Sequence, residues 1–175
     1  MNNILKNSEN KNLKIGYKIG LEFFFSPNGR RFISKIKNRE IFLDLKINDI
    51  PNTSMAAIKS LRDLRNINYL TVHINGGLEV LKAVKKISKK INSKMKIIGV
   101  TILTSFSNKS IKKIGHTKSI KDLVIKQARL AKHAGLDGIV CSGHEIKHIK
   151  KICNNMEIIT PGIRLPGESR SDQKR

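Results

Sequence analysis

Six short apolar runs alternate with stretches of helical periodicity, and this alternation limits the fold more than any other feature of the chain. Residues 14–20, 41–46, 69–74, 96–102, 136–142 and 157–161 read as strands. Between them, 31–37 predicts a short helix with Phe32, Ile33 and Ile36 inward. Residues 52–65 carry Met55, Ile58 and Leu61 on one face, and Leu78, Leu81, Val84, Ile87 and Ile91 form a second stripe at helical spacing. A loop over 104–117 leads to a helix over 119–134 with Gly135 as its cap, and 145–153 is the last helix. Strand and helix in strict alternation predict a parallel sheet with helices outside it. The fold class expected is α/β, a TIM (β/α)8-type barrel that is incomplete, with about six βα units present. A doubly wound sheet is the competing architecture, but no Gly-x-Gly-x-x-Gly follows the first strand. In either architecture a ligand site gathers at the C-terminal strand ends.

One of those ends carries the chemistry. Asp44-Leu45-Lys46-Ile47-Asn48-Asp49-Ile50-Pro51-Asn52-Thr53 follows the apolar run Ile41-Phe42-Leu43. Side chains on a strand alternate faces, so Asp44 and Lys46 point the same way. Charged residues are rare at the end of an apolar strand unless paired. Asp49 lies just past the strand, and Pro51 opens the next helix. Acid, amine, acid in this order suits proton transfer beside negative charge. The bland alternative is a structural ion pair.

Charge and composition exclude other classes. The net charge is +22, yet the lysines are spread over nearly every helix, and Lys82, Lys85, Lys86, Lys89 and Lys90 are expected on the outer face of one of them. With two tyrosines, six phenylalanines and no tryptophan, a base-stacking platform has little material. Nucleic acid is therefore not the expected partner, although the positive field would attract a small anion. Cys141 and Cys153 read as buried small hydrophobes. His144 and His148 are spaced like metal ligands on a helix but lack a third, so no metal is expected. No apolar run has transmembrane length and the N-terminus has no signal-peptide core, which predicts a soluble, cytoplasmic protein without membrane contact.

Several segments match one family together. They are Tyr17-Lys18-Ile19-Gly20-Leu21-Glu22, the Asp44 to Thr53 segment, and Val72-His73 with Gly76-Gly77. Val100-Thr101-Ile102-Leu103-Thr104-Ser105, Gly135-Leu136-Asp137-Gly138-Ile139-Val140-Cys141-Ser142, Thr160-Pro161-Gly162-Ile163-Arg164 and Asp172-Gln173-Lys174-Arg175 complete the set. In these segments the chain resembles orotidine 5'-phosphate decarboxylase, from about residue 15 to 175. The resemblance implies a homodimeric barrel enzyme that needs no cofactor and converts orotidine 5'-phosphate to UMP. It makes Lys46 the proton donor to C6, with Asp44 facing the substrate carboxylate and Lys18 binding the ribose. Asp49 and Thr53, with Ile50 between them, would reach the partner subunit's site. Thr104 and Ser105 would touch the pyrimidine, beside Pro161. Arg164 and Gln173 would lie on a closing loop at the phosphate end.

The chemistry of the residues agrees. Loss of carbon dioxide from this ring leaves a carbanion with no electron sink, so its stabilisation must be electrostatic. The domain expected is 14–175, preceded by a polar segment, 1–13, in which Ile4-Leu5 is the remnant of a first helix. The family also implies a first strand ending in an aspartate and a last strand with a Gly-Arg phosphate clamp, neither of which is found here. A truncated, inactive copy is one alternative. A sugar-phosphate decarboxylase or synthase of the same superfamily is another, though it should bind magnesium and lack Ile-Pro-Asn-Thr and Pro-Gly-Ile-Arg. A basic nucleic-acid-binding protein is the third.

Overall fold

The computed structural model describes residues 15–163. Expectations for 1–13, Lys14, Arg164 and Gln173 therefore lie outside the described residues. Six strands run in chain order: β1 (Gly16–Gly20), β2 (Glu40–Ile47), β3 (Ile67–His73), β4 (Lys96–Val100), β5 (Gly138–Val140) and β6 (Glu157–Ile159). Each pairs in parallel with the next, giving one sheet in the order β1-β2-β3-β4-β5-β6. This is the incomplete (β/α) barrel that the alternation predicts. Sequential neighbours with no strand out of order also remove the doubly wound alternative, whose sheet reverses direction of growth.

The helices are α1 (Leu21–Phe25), α2 (Gly29–Lys35), α3 (Pro51–Lys59), α4 (Gly77–Ile91), α5 (Asn108–Lys113), α6 (Ile120–His133) and α7 (Ile146–Ile152). The apolar stripes pack against the strands: Val80, Leu81 and Val84 from α4 join Leu70, Val72 and Ile97 in one core. Gly135 has φ +72°, the left-handed conformation that ends α6. Gly29 stands where a Cβ would lie 2.0 Å from the Phe23 carbonyl oxygen, so only glycine lets α2 begin so close to α1.

The structure departs from the expected elements in four places. Leu21–Phe25 is helical where no element was expected; its five residues are too few to show a period. The expected loop 104–117 contains α5, which starts on a reciprocal cap between Ser107 and Ser110 and buries Ile111. The helix expected over 52–65 stops at Lys59. There the chain tightens into i→i+3 turns, Leu61 N–H to Ile58 O at 3.0 Å and Leu64 N–H to Leu61 O at 2.9 Å, to bring Ile67 into the sheet. Lys85 is not on the outer face of α4: its ammonium donates to both oxygens of Asp137 at 2.5 Å, at the start of β5. Lys82, Lys86, Lys89 and Lys90 are exposed as expected.

Candidate active site

β2 does not keep simple alternation at its end. Leu43 pairs with Leu70 and Ile47 with Val72, so β2 spends four steps where β3 spends two. The excess is a bulge, and Lys46 takes it up with φ +48°. That left-handed conformation costs a residue other than glycine about 1–2 kcal/mol. The expected side-by-side placement of Asp44 and Lys46 is found, but a bulge produces it rather than a regular pleat.

Asp44 is the hub. Its Oδ2 accepts from Lys46 Nζ at 2.8 Å and from Lys18 Nζ, on β1, at 3.1 Å. Its Oδ1 accepts from the hydroxyl of Thr71, on β3, at 2.9 Å. Thr71 Oγ1 in turn accepts from the backbone N–H of Lys46 at 2.8 Å. The Asp44 side chain is only 11% exposed, against 34% for Lys46 and 62% for Lys18. Burial alone would push the Asp44 carboxyl up, but the hydrogen bonds from Lys46 and Lys18, the Lys46 charge and the Thr71 hydroxyl hold it below the usual carboxylate range. Among the described residues one carboxylate thus serves two cations, which leaves an excess positive charge at the site.

Those charges border a cavity of about 340 Å³. Lys18, Phe42, Asp44 and Lys46 line it from β1 and β2, and Val100 and Ile102 from β4 and its end. Thr104 and Ser105 come from the following loop, Val140 and Cys141 from β5, and Ile159 and Pro161 from β6. The wall is largely apolar, with its charge on one side. The residues proposed from sequence as Lys18, Asp44, Lys46, Thr104, Ser105 and Pro161 therefore surround one space at the C-terminal strand ends.

Asp49, Ile50 and Thr53 do not face that space and are exposed. Asp49 Oδ1 accepts from the Ile50 N–H at 2.7 Å, and Asp49 and Ile50 border a separate shallow depression with Gly76 and Val80. Ile50 is 65% exposed.

β3 places two further residues near the pair, of which Thr71 went unrecognised in the sequence. Thr71, fully buried, touches both Asp44 and Lys46; an inward threonine two residues before His73 was its only signal. His73 is half-buried, its Nδ1 buried without a hydrogen-bond partner. Burial, then the Lys46 charge, pushes its pKa down, with Asp44 opposing. Cys141 and Cys153 are buried as expected, and burial pushes the Cys153 thiol up against the opposing charge of Lys132. No helix among the described residues is long and apolar enough to cross a membrane.

The family model described as orotidine 5'-phosphate decarboxylase / HUMPS family matches residues 8–175. The chain belongs to this family. An orotidine 5'-phosphate decarboxylase of Wolbachia sp. subsp. Brugia malayi is 45% identical over 166 residues, covering 93% of this chain and 72% of that protein. The one from Buchnera aphidicola subsp. Baizongia pistaciae is 42% identical over 179 residues, covering 95% and 75%. Among solved structures, orotidine 5'-phosphate decarboxylase from Lactobacillus acidophilus superposes with a TM-score of 0.82 at 34% identity, over 93% of this chain and 75% of that one. The orotidine 5'-monophosphate decarboxylase from Methanocaldococcus jannaschii, solved with the inhibitor BMP, gives 0.68 at 28% identity, over 89% and 69%. The family description joins orotidine 5'-phosphate decarboxylase with a second group, HUMPS. The relatives just named carry the first of these names.

Proposed function

We propose that this chain is a cytoplasmic carboxy-lyase that decarboxylates orotidine 5'-phosphate to UMP in pyrimidine synthesis, without a cofactor. The observation that carries the reading is the single Asp44 carboxylate shared by Lys18 and Lys46 beside the 340 Å³ cavity. The substrate's anionic groups are drawn by the surplus positive charge. With the substrate carboxylate near Asp44, two like charges are held together in the ground state, and loss of carbon dioxide moves one of them onto C6, beside the Lys46 ammonium. The C6–carboxylate bond breaks and its electron pair stays on C6. Lys46 Nζ–H supplies a fixed cation beside that charge and then transfers its proton to C6. Solvent returns a proton to the Lys46 amine. The apolar wall from Val100, Ile102 and Ile159 keeps water from competing around the ring, where electrostatic interactions are strongest in low dielectric.

Thr104, Ser105 and Pro161 are assigned to the pyrimidine, Lys18 to the ribose, and Arg164 and Gln173 to the phosphate end. Asp49, Ile50 and Thr53 point away from their own cavity, which suits a homodimer in which each copy completes the other's site. Mixing Lys46→Ala chains with Asp49→Ala chains tests that assignment. Random exchange should restore about a quarter of wild-type turnover, because half the dimers then carry one intact site. No recovery would assign Asp49 to its own copy, and Asp49→Ala chains active on their own would assign it to no site.

The reaction is tested by following loss of orotidine 5'-phosphate absorbance with the wild-type chain and Lys46→Ala. Turnover by the first and none by the second is expected. A folded wild-type chain that consumes no substrate, or a Lys46→Ala chain as active as wild type, would overturn the reading.

A further inference from the structure

The bulge leaves Asp44, Leu45 and Lys46 opposite Thr71 alone, because the register runs from Leu43–Leu70 directly to Ile47–Val72. The hydroxyl of Thr71 uses both its capacities there: it donates to Asp44 Oδ1 and accepts from the Lys46 N–H. Donation to a carboxylate fixes the hydroxyl proton, which turns a lone pair toward the lysine backbone. A β-branched side chain has few rotamers to lose, and this one is fully buried. We infer that Thr71 is the positioning residue of the site, the strut that sets the Asp44 carboxylate and the left-handed Lys46 backbone relative to each other, and so aims the ammonium into the cavity. It touches neither the cavity nor any reacting atom. It acts through Asp44 and Lys46, and its effect on turnover rests on the decarboxylase reading given above.

Two cations set the charge around Asp44, Lys18 from β1 and Lys46 from β2 itself, while His73 on β3 is the other titratable group near it. Removing the hydroxyl while keeping its shape changes none of these charges. The test is carried out on the full chain with Thr71→Val and Thr71→Ser, following the Asp44 carboxyl carbon by NMR titration, kcat with orotidine 5'-phosphate, and UMP affinity by calorimetry. In Thr71→Val the Asp44 carboxyl should titrate at higher pH than in wild type. Its kcat should fall roughly tenfold or more while UMP affinity stays within about twofold, the loss expected when one hydrogen bond to a charged group disappears. Thr71→Ser should restore the titration and bring kcat within about threefold of wild type. A residue with a merely structural role would lower thermal stability and leave the titration and the kcat-to-affinity split unmoved. An unshifted Asp44 in Thr71→Val, or a Thr71→Ser chain as impaired as Thr71→Val, overturns the inference. If Thr71→Val does not fold, Thr71→Cys replaces it: its weak thiol should leave Asp44 titrating above both wild type and Thr71→Ser, and equal titration in all three overturns the inference. The titration needs no turnover. An inactive wild-type chain whose Asp44 still shifts in Thr71→Val overturns the proposed reaction and keeps the strut.

Discussion

The two ends of the parallel sheet both hold lysine–carboxylate pairs, and they differ in stoichiometry and in space. At the N-terminal end Asp137 takes the Lys85 ammonium on both oxygens at 2.5 Å, and its Oδ2 also accepts from the Ile97 N–H at 2.7 Å. Nearby, Lys96 pairs with Glu157 and lies 5.4 Å from the centre of the Tyr69 ring. Each acid there has its own cation. At the C-terminal end two cations share Asp44, and a cavity opens beside them. The same pair of residue types is therefore a fastener where charge is matched and packed, and, on the proposed function, the reacting pair where a cation is left over facing space. Composition does not separate these cases; the count of partners and the adjoining volume do.

Neutralising one acid at each end should break the symmetry most visibly. If Asp44 has the proposed role, Asp44→Asn should cost about 10²-fold or more in kcat, since it removes the preorganised charge placed against the substrate carboxylate. Asp137→Asn should leave kcat per folded molecule within about twofold and instead lower stability by about 2 kcal/mol. That is below the cost of breaking a fully buried pair, because the Asp137 side chain is 28% exposed. Kinetics and urea unfolding on both variants check this. Equal kinetic losses at the two ends would erase the distinction. A smaller effect concerns the fastener alone: Lys85→Met with Asp137→Leu should recover only part of the lost stability, because apolar groups replace a pair whose desolvation is costly but the N–H of buried Ile97 loses its acceptor.

The sequence disclosed the hub of the active end but not its support. Asp44 and Lys46 were legible because charges at the end of an apolar strand must find partners, although the regular pleat assumed for them is a bulge. Lys18, Thr104, Ser105 and Pro161 were legible because alternation of strand and helix places them all on one rim. The bulge was not legible, since a register shift is decided jointly by two strands and leaves no period in either. For that reason Thr71, which fits an apolar strand as a β-branched residue, passed unnoticed. Lys85 was misjudged for a related reason. It belongs to a run of lysines on an outer face, and only the position of Asp137, 52 residues away, turns it inward. The short helices α1 and α5 have too few residues for periodicity to show. The bulge, Thr71 and Lys85 escaped the sequence because contacts between distant segments fix them.

Acid should sharpen the contrast further. The Asp44 carboxyl titrates below its ordinary value, so the stability that its partners confer is complete above the unfolded carboxylate range and is lost as pH falls through the lowered folded value. Wild type and Asp44→Asn should therefore keep a constant difference in unfolding free energy near neutrality, and that difference should shrink below about pH 4. A difference that changes above the ordinary histidine range, where His73 is neutral in both chains, would assign the titration to another group.

The smallest effect is the most local. His73 has its pKa pushed down first by burial and then by the Lys46 charge, while Asp44 pulls it up. Between the ordinary histidine range and the lowered folded value, the unfolded chain binds a proton that the folded chain does not. Stability should therefore fall as pH drops from neutrality, and level off below the folded pKa. Lys46→Met removes one of the two causes that lower it, so the imidazole should titrate higher by NMR yet stay below the free value, because burial persists. Asp44→Asn removes the opposing charge and should move it lower still. Lys85→Met, at the other end of the sheet, should leave it where it is. A His73 titration that responds to Lys85 and not to Lys46 would mean that the charge surplus does not sit at the cavity, and the functional asymmetry between the two ends would fail with it.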